Sequence, residues 1–484
     1  MTSRSNLVSL VFLGFALTAS AQTVDRQMMA KIRAEGLEHS QVQKVFDYLT
    51  IDIGPRLTNS PAYLSAVKFV TQQLQDWGLS NVHDEPWQFG RGWTLDKLTV
   101  EMAEPRYAPL IGYAEGWSPA TPGDIVAEPI YLGNKSAAEI EALRPKMKGA
   151  IVMLSPIQKV YVTEDRPQPS LPGATGPETL SPPALFNTGR EAQQLNTLVR
   201  NAGAGVILRP NVLKDGTVYV TGRDNGPSSV PSIIMDSEHY NEIARMIEHG
   251  RPVKLRINVQ ATFQERDTSA YNIIAEIPGT DPVLKNQVVM LGAHVDSWHT
   301  GVGATDNADG TSVMMEAMRI LKTVGANPRR TIRLGIWSGE EQGLLGSKEW
   351  VKRHLEGDAN KDERENFSVY LNMDNGTNKV YGFGMENNEG ARAIFDKWLA
   401  EFQDLGARHN TNTHITSTDH LSFLAAGVPG FNPFQDYEGY DVRTHHTNMD
   451  LADHVNPDDL KQAAVVMAGF AWNAAMLDER MPRK

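Results

Sequence analysis

Gln287-Val288-Val289-Met290-Leu291-Gly292-Ala293 is a nearly unbroken apolar run that leads directly into His294. A run of this kind is buried on both faces, the habit of a central parallel strand rather than a half-exposed one. Working outward, Thr311 to Val324 has the length and spacing of a helix, Arg330 to Trp337 is a second strand, and Ser368 to Met373 a third. Strand and helix in alternation predict an α/β fold with a mostly parallel central sheet flanked by helices. Its ligand sites are expected beyond the carboxyl ends of the strands.

The 484 residues exceed one ordinary core, so a second body is expected. Upstream, Ser60-Pro61 is a cap and first turn for a helix carrying Val67, Val70, Leu74 and Trp77 on one stripe, closed by Gly78. Between Gly123 and Gln264 the texture changes to short strands such as 149–154 and 205–208, with a helix from about Glu191 to Asn201 between them. Pro167, Pro169, Pro172, Pro177, Pro182 and Pro183 stiffen a long loop near 164–188, read either as a lid or as a plain surface excursion. The expected divisions are a signal peptide at 1–21, an N-terminal helical part at 22–122, an insertion at 123–264 and a catalytic part at 265–484.

Residues 1–21 join Arg4, an apolar run from Leu7 to Leu17 and the small-residue end Ala19-Ser20-Ala21. These are the three parts of a secretory signal, with cleavage before Gln22. The run is too short to span a bilayer. Export to a periplasmic or extracellular space follows, with no membrane attachment after cleavage. A formal net charge of −12 repels phosphate backbones and argues against a nucleic-acid partner. With no cysteine, thiol catalysis is excluded and any metal must be held by nitrogen and oxygen.

Nine of the 13 histidines lie at or after position 294, in the part read as parallel sheet. His294 and Asp296 end the first strand two residues apart, so one can bind metal while the other orients the ligand. Asp306 follows in a glycine-rich turn before a helix, where a carboxylate can either bridge two cations or cap the helix. Glu340 and Glu341 end the next strand. Adjacent buried carboxylates are costly unless a cation compensates them, and one can then ligate while the other takes a proton from water. Asp374 ends a further strand, and His445-His446 with Asp450 falls near the C-terminus.

The order and surroundings of these motifs, above all Glu340-Glu341-Gln342-Gly343-Leu344-Leu345-Gly346-Ser347, closely resemble the co-catalytic di-zinc exopeptidases of metallopeptidase family 28. The likeness is strongest to the carboxypeptidase Q branch. Gly54-Pro55-Arg56-Leu57-Thr58, the paired histidines and an insertion that resembles a protease-associated domain carry it there. The resemblance implies two zinc ions per chain: one on His294 and Asp374, the other on Glu341 and His446, with Asp306 as the bridge. His445 is the rival of His446. Glu340 is implied as the general base for a metal-bridging water, Asp296 as the partner of His294 and Asp450 as a support for the C-terminal motif. Asp419, His420 and Arg443 are the substrate-binding candidates. A peptide or dipeptide substrate and a homodimer are also implied. Cleavage from the C-terminus, which requires a cation such as Arg443, stands ahead of aminopeptidase action. An acyltransferase like glutaminyl cyclase and a non-catalytic binding domain are the readings from other classes. Asn375-Gly376-Thr377 is a formal glycosylation sequon, expected to be unmodified because it adjoins Asp374.

Overall fold

The computed structural model describes residues 24–169, 176–181, 190–377 and 379–484. The signal sequence and Pro172, Pro182 and Pro183 lie outside the described residues. Among the described residues, no helix is long and apolar enough to cross a membrane.

A six-stranded sheet joins one strand from the N-terminal part with five from residue 269 onward. Its strands are β1 (Ser80–Gln88), β2 (Ser269–Ile277), β3 (Val288–His294), β4 (Thr331–Trp337), β5 (Phe367–Asn372) and β6 (Gly430–Phe431), in the order β1-β2-β4-β3-β5-β6. β4, β3, β5 and β6 pair in parallel, whereas β1 and β2 form an antiparallel edge. The run 287–293 is therefore the central strand it was expected to be, and all seven residues of β3 are buried. Strand alternation splits it between two cores. Val289, Leu291 and Ala293 face one apolar cluster, Val288 and Met290 the other.

On the first face lie α1 (Arg26–Glu38), α2 (Pro61–Asp76), α3 (Asp309–Thr323) and the C-terminal α5 (Pro457–Met476), which share that cluster. Ser60 caps α2 by accepting from the Tyr63 N–H at 3.2 Å, and Pro61 takes the first helical position. Such a cap contributes about 1 kcal/mol. The opposite face is covered by α4 (Leu345–His354), with Trp350 and Val351 packed beside Trp337, Tyr370 and Phe423.

Between β1 and β2 the chain builds two further sheets. One has five strands, ordered 112–114, 232–235, 206–210, 151–153 and 130–131; the other has four, with Gly92–Glu104 paired antiparallel along Lys254–Gln264. A helix at Arg190–Asn201 lies between the strands Ile151–Met153 and Val206–Pro210. The described portions of the proline-rich stretch dock on the catalytic part at two places. Asp165 accepts from the backbone N–H groups of Gly439, Asp441 and Val442, and 179–180 pairs in parallel with 414–415.

Candidate metal centre

β3, β4 and β5 deliver their carboxyl ends to one place. His294 is the last residue of β3, Glu340 and Glu341 follow β4 by three and four residues, and Asp374 follows β5 by two. The loop into α3 adds Asp306, and the loop before α5 adds His445 and His446. His294 Nε2 lies 3.3 Å from Asp306 Oδ1, 3.6 Å from Asp374 Oδ1 and 3.8 Å from Glu340 Oε2. His446 Nε2 lies 3.0 Å from the other oxygen of Asp306 and 2.9 Å from Glu341 Oε2. Asp306 thus offers Oδ1 to one cluster and Oδ2 to the other.

His445 is also near, with Nε2 3.9 Å from Asp306 Oδ2, and the trio Asp306, His445 and His446 is close enough to hold an ion. Yet its ring stacks on Tyr440 at 5.0 Å, and burial, with repulsion from His446, pushes its pKa down to about 3. His446 is nearer to both carboxylates. It adopts a left-handed backbone, φ 57°, uncommon for a residue with a Cβ and frequent at functional sites.

The electrostatics call for cations. Burial pushes Glu341 up to about 8, with Asp306 adding repulsion, and holds Glu340 well above the usual carboxylate range. Burial also lifts Asp419 and Asp450 to about 7. For His294 the same burial works downwards, but Glu340, Asp296, Asp306 and Asp374 outweigh it and raise the imidazole well above its usual range. His294 Nε2 and Glu341 Oε2 are buried and have only the ion-pair contacts with Asp306, Asp374, Glu340 and His446 to satisfy them among the described residues. Buried acids and unpaired donor atoms facing one another are stable only when something of positive charge compensates them. This donor set of imidazole and carboxylate fits divalent transition-metal ions.

A second layer fixes the geometry. His294 Nδ1 faces the Asp296 backbone carbonyl at 3.0 Å, while the Asp296 carboxylate accepts from Thr58 Oγ1 at 2.8 Å and from the backbone N–H groups of Glu340 and Glu341 at 3.3 and 3.4 Å. Asp296 therefore ties β3 to the two glutamates. Asp450 accepts from Thr305 N and Oγ1 at 2.7 and 2.9 Å, bracing the Asp306 loop. Arg56, fully buried, donates to the carbonyls of Gly54, Val295, Val302 and Gly303, joining the exits of β3 and the Asp306 loop.

Two supporting residues carry no signal in the sequence. Tyr219 comes from the insertion, and its hydroxyl lies 2.9 Å from His446 Nδ1. Arg166, from the proline-rich stretch, donates through Nε to Asp441 at 2.8 Å and through Nη1 to Asn375 Oδ1 at 3.2 Å. Asn375 is buried in that contact. Of the substrate candidates, Asp419 lies buried close enough to Glu340 to raise its pKa. His420 Nε2 instead faces Glu386 at 3.2 Å, and Arg443 donates to Thr217 Oγ1 at 2.5 Å.

A doubly wound sheet edge with a shared carboxylate between two nitrogen and oxygen clusters, beside an adjacent spare glutamate, defines a metal-dependent hydrolase of the peptidase class. Residues 272–471 match the profile of peptidase family M28. The chain is similar to human carboxypeptidase Q, 28% identical over 433 residues that cover 89% of this chain and 84% of the relative. Among solved structures, a peptidase M28 precursor from Shewanella amazonensis has a TM-score of 0.72 at 22% identity, covering 95% of this chain and 98% of that one. A zinc aminopeptidase from Bacillus subtilis has a TM-score of 0.62 at 19% identity, with 90% and 95% covered. These two share the fold.

Proposed function

We propose that this chain is an exported exopeptidase that holds two zinc ions and hydrolyses dipeptides or short peptides, with Glu340 as general base. The observation that carries the reading is Asp306, whose two oxygens lie 3.3 Å from His294 and 3.0 Å from His446. His294, Asp374 and Asp306 would hold one ion, and Glu341, His446 and Asp306 the other. Zinc suits a donor set of imidazole and carboxylate without thiolate. Bound there, the ions supply Lewis acidity and lower the pKa of water.

The chain's own residues do the rest. Glu340 sits next to the ligand Glu341 without contacting His446, and its oxygen 3.8 Å from His294 places a base beside the cluster. It takes the proton from the attacking water and returns it to the departing amine. Asp296 fixes both glutamates through their backbone amides, and Trp298, Thr447 and Asp450 wall the narrow cavity over Asp306 and Glu341.

Carboxy-terminal preference rests on the similarity to carboxypeptidase Q. The aminopeptidase reading is favoured by a different observation. The acids around the centre, Asp419 and Asp450 among them, offer an ammonium group more than they offer a carboxylate, and Arg443 is engaged by Thr217. Hydrolysis of one dipeptide beside its N-acetylated and C-amidated forms decides between them. Loss on amidation supports the carboxypeptidase, loss on acetylation the aminopeptidase, and no cleavage of any form by enzyme with two zinc equivalents overturns both. Export rests on residues 1–21, the homodimer on the family resemblance, and the 123–264 insertion as a protease-associated domain on its strand pattern.

A further inference from the structure

A second cavity, of about 520 Å³, lies between the helix Arg190–Asn201, the strand ends at Arg209 and Ser232, and a rim formed by Glu115–Trp117 and Thr221–Arg223. That size lies within the range of small-molecule sites. Among the described residues, Arg200, Arg209 and Arg223 line it against a single carboxylate, Glu115, so positive charge is in surplus there although the chain's formal net charge is −12. Glu115 and Ser232 Oγ both engage Nη2 of Arg209. The Nε atoms of Arg200 and Arg209 are buried and have no hydrogen-bond partner among the described residues. Burial holds the Arg200 guanidinium below its usual range, and repulsion from Arg209 and Arg223 works in the same direction against the pull of Glu115.

Guanidinium groups gathered in a concave site, with donors unspent, match the oxygens of carboxylate and phosphate by paired hydrogen bonds. We propose that this cavity is a binding site for a small anion carrying carboxylate or phosphate oxygens. The site stands apart from the metal centre: the residues lining the two cavities do not overlap. They share a wall, because Trp117 at the rim meets Trp298 edge to face at 6.4 Å and Trp298 lines the metal cavity.

The test is calorimetric titration of the zinc-loaded full chain at low salt with succinate and, separately, with inorganic phosphate. Saturable binding of either anion is expected, and the tighter of the two identifies the source of the oxygens. Arg200→Gln and the exposed Arg223→Gln should each weaken it about tenfold or more, since a hydrogen bond to a charged group contributes about that factor. Both variants should keep wild-type zinc content and melting temperature. Absence of saturable binding by both anions overturns the proposal, and so does binding that survives both substitutions, which would put the anion on the metals.

Discussion

Glu340 and Glu341 are neighbours in sequence with different surroundings, and that difference is open to test one atom at a time. Glu341 Oε2 lies 2.9 Å from His446 Nε2, whereas Glu340 Oε2 lies 3.8 Å from His294 Nε2. Glu340→Gln should lower turnover by about 100- to 10,000-fold, the usual contribution of a general base, with both metal equivalents retained. Glu341→Gln replaces an anionic donor with a neutral one and should lose metal first; if metal analysis and kinetics gave the opposite pattern, the two roles would be exchanged. Tyr219 makes a subtler case. A hydrogen bond to the second nitrogen of a metal-binding imidazole fixes its ring, and losing one typically costs about 10- to 100-fold in metal affinity. Tyr219→Phe should therefore weaken one of two binding steps in a chelator competition while leaving the fold intact. Equal affinities in wild type and variant would reduce Tyr219 to packing.

Elements place these residues, and their limits were legible to within about one residue where apolar runs were long. β3, β4 and β5 fall at Val288–His294, Thr331–Trp337 and Phe367–Asn372; β3 and β5 are buried along their whole length and β4 from Leu334 onward, so apolar residues dominate all three. β1, Ser80–Gln88, alternates exposed and partly buried residues at the sheet edge and gives no such signal. Gly346 shows what the glutamate motif needs from its glycine. A Cβ there would lie 2.3 Å from the Ser338 carbonyl and 2.4 Å from Asn272 Oδ1, so Gly346→Ala must displace the start of α4 from the end of β4. The expected loss is about 1–3 kcal/mol, measured by denaturant unfolding; an unchanged midpoint would mean the turn relaxes freely. At the other end of α4, His354 lies 3.0 Å from Glu85 on β1 and 3.5 Å from Glu363. These carboxylates, Glu363 foremost, raise its pKa to about 9. The folded value is above the ordinary one of about 6.5, so the stabilisation is complete below about pH 6.5 and is lost as pH rises through 9. Melting temperatures of wild type and His354→Gln should converge over that interval, and a constant gap would show that His354 acts only through its stacking on Trp350.

At the scale of the whole molecule, the centre is assembled from segments that the sequence holds far apart, and this is where sequence reading stops. The residues proposed as ligands stand out in the sequence because most of them follow an apolar strand or precede a helix and His446 lies in a paired-histidine motif, whereas the residues that steady them come from loops with no periodicity. Tyr219 faces His446 across 227 positions. The Val218 backbone N–H donates to Asn448 Oδ1 at 2.7 Å. Arg166 and Asp441, 275 positions apart, form an ion pair with side chains almost wholly out of solvent. Arg166 also lies over the rings of Tyr437 and Tyr440, at 5.1 and 5.3 Å, so it holds the loop leading to His446 at three residues. Burial opposes each charge, and Asp441 stays below the usual carboxylate range because Arg166 outweighs that burial. Removing one partner of such a pair leaves the other uncompensated and costs about 3–5 kcal/mol, whereas replacing both by apolar groups can be nearly neutral. Arg166→Met should then lower the melting temperature and also weaken metal binding, because the strand of chain that presents His445 and His446 loses its anchor. Adding Asp441→Leu should return much of the stability but not the metal affinity, since it also removes the acceptor of the hydrogen bond from the backbone N–H of residue 166, which Arg166→Met leaves in place. If the double variant recovered both, the pair would serve the fold alone. If Arg166→Met lost neither, the insertion would not steady the centre through this contact.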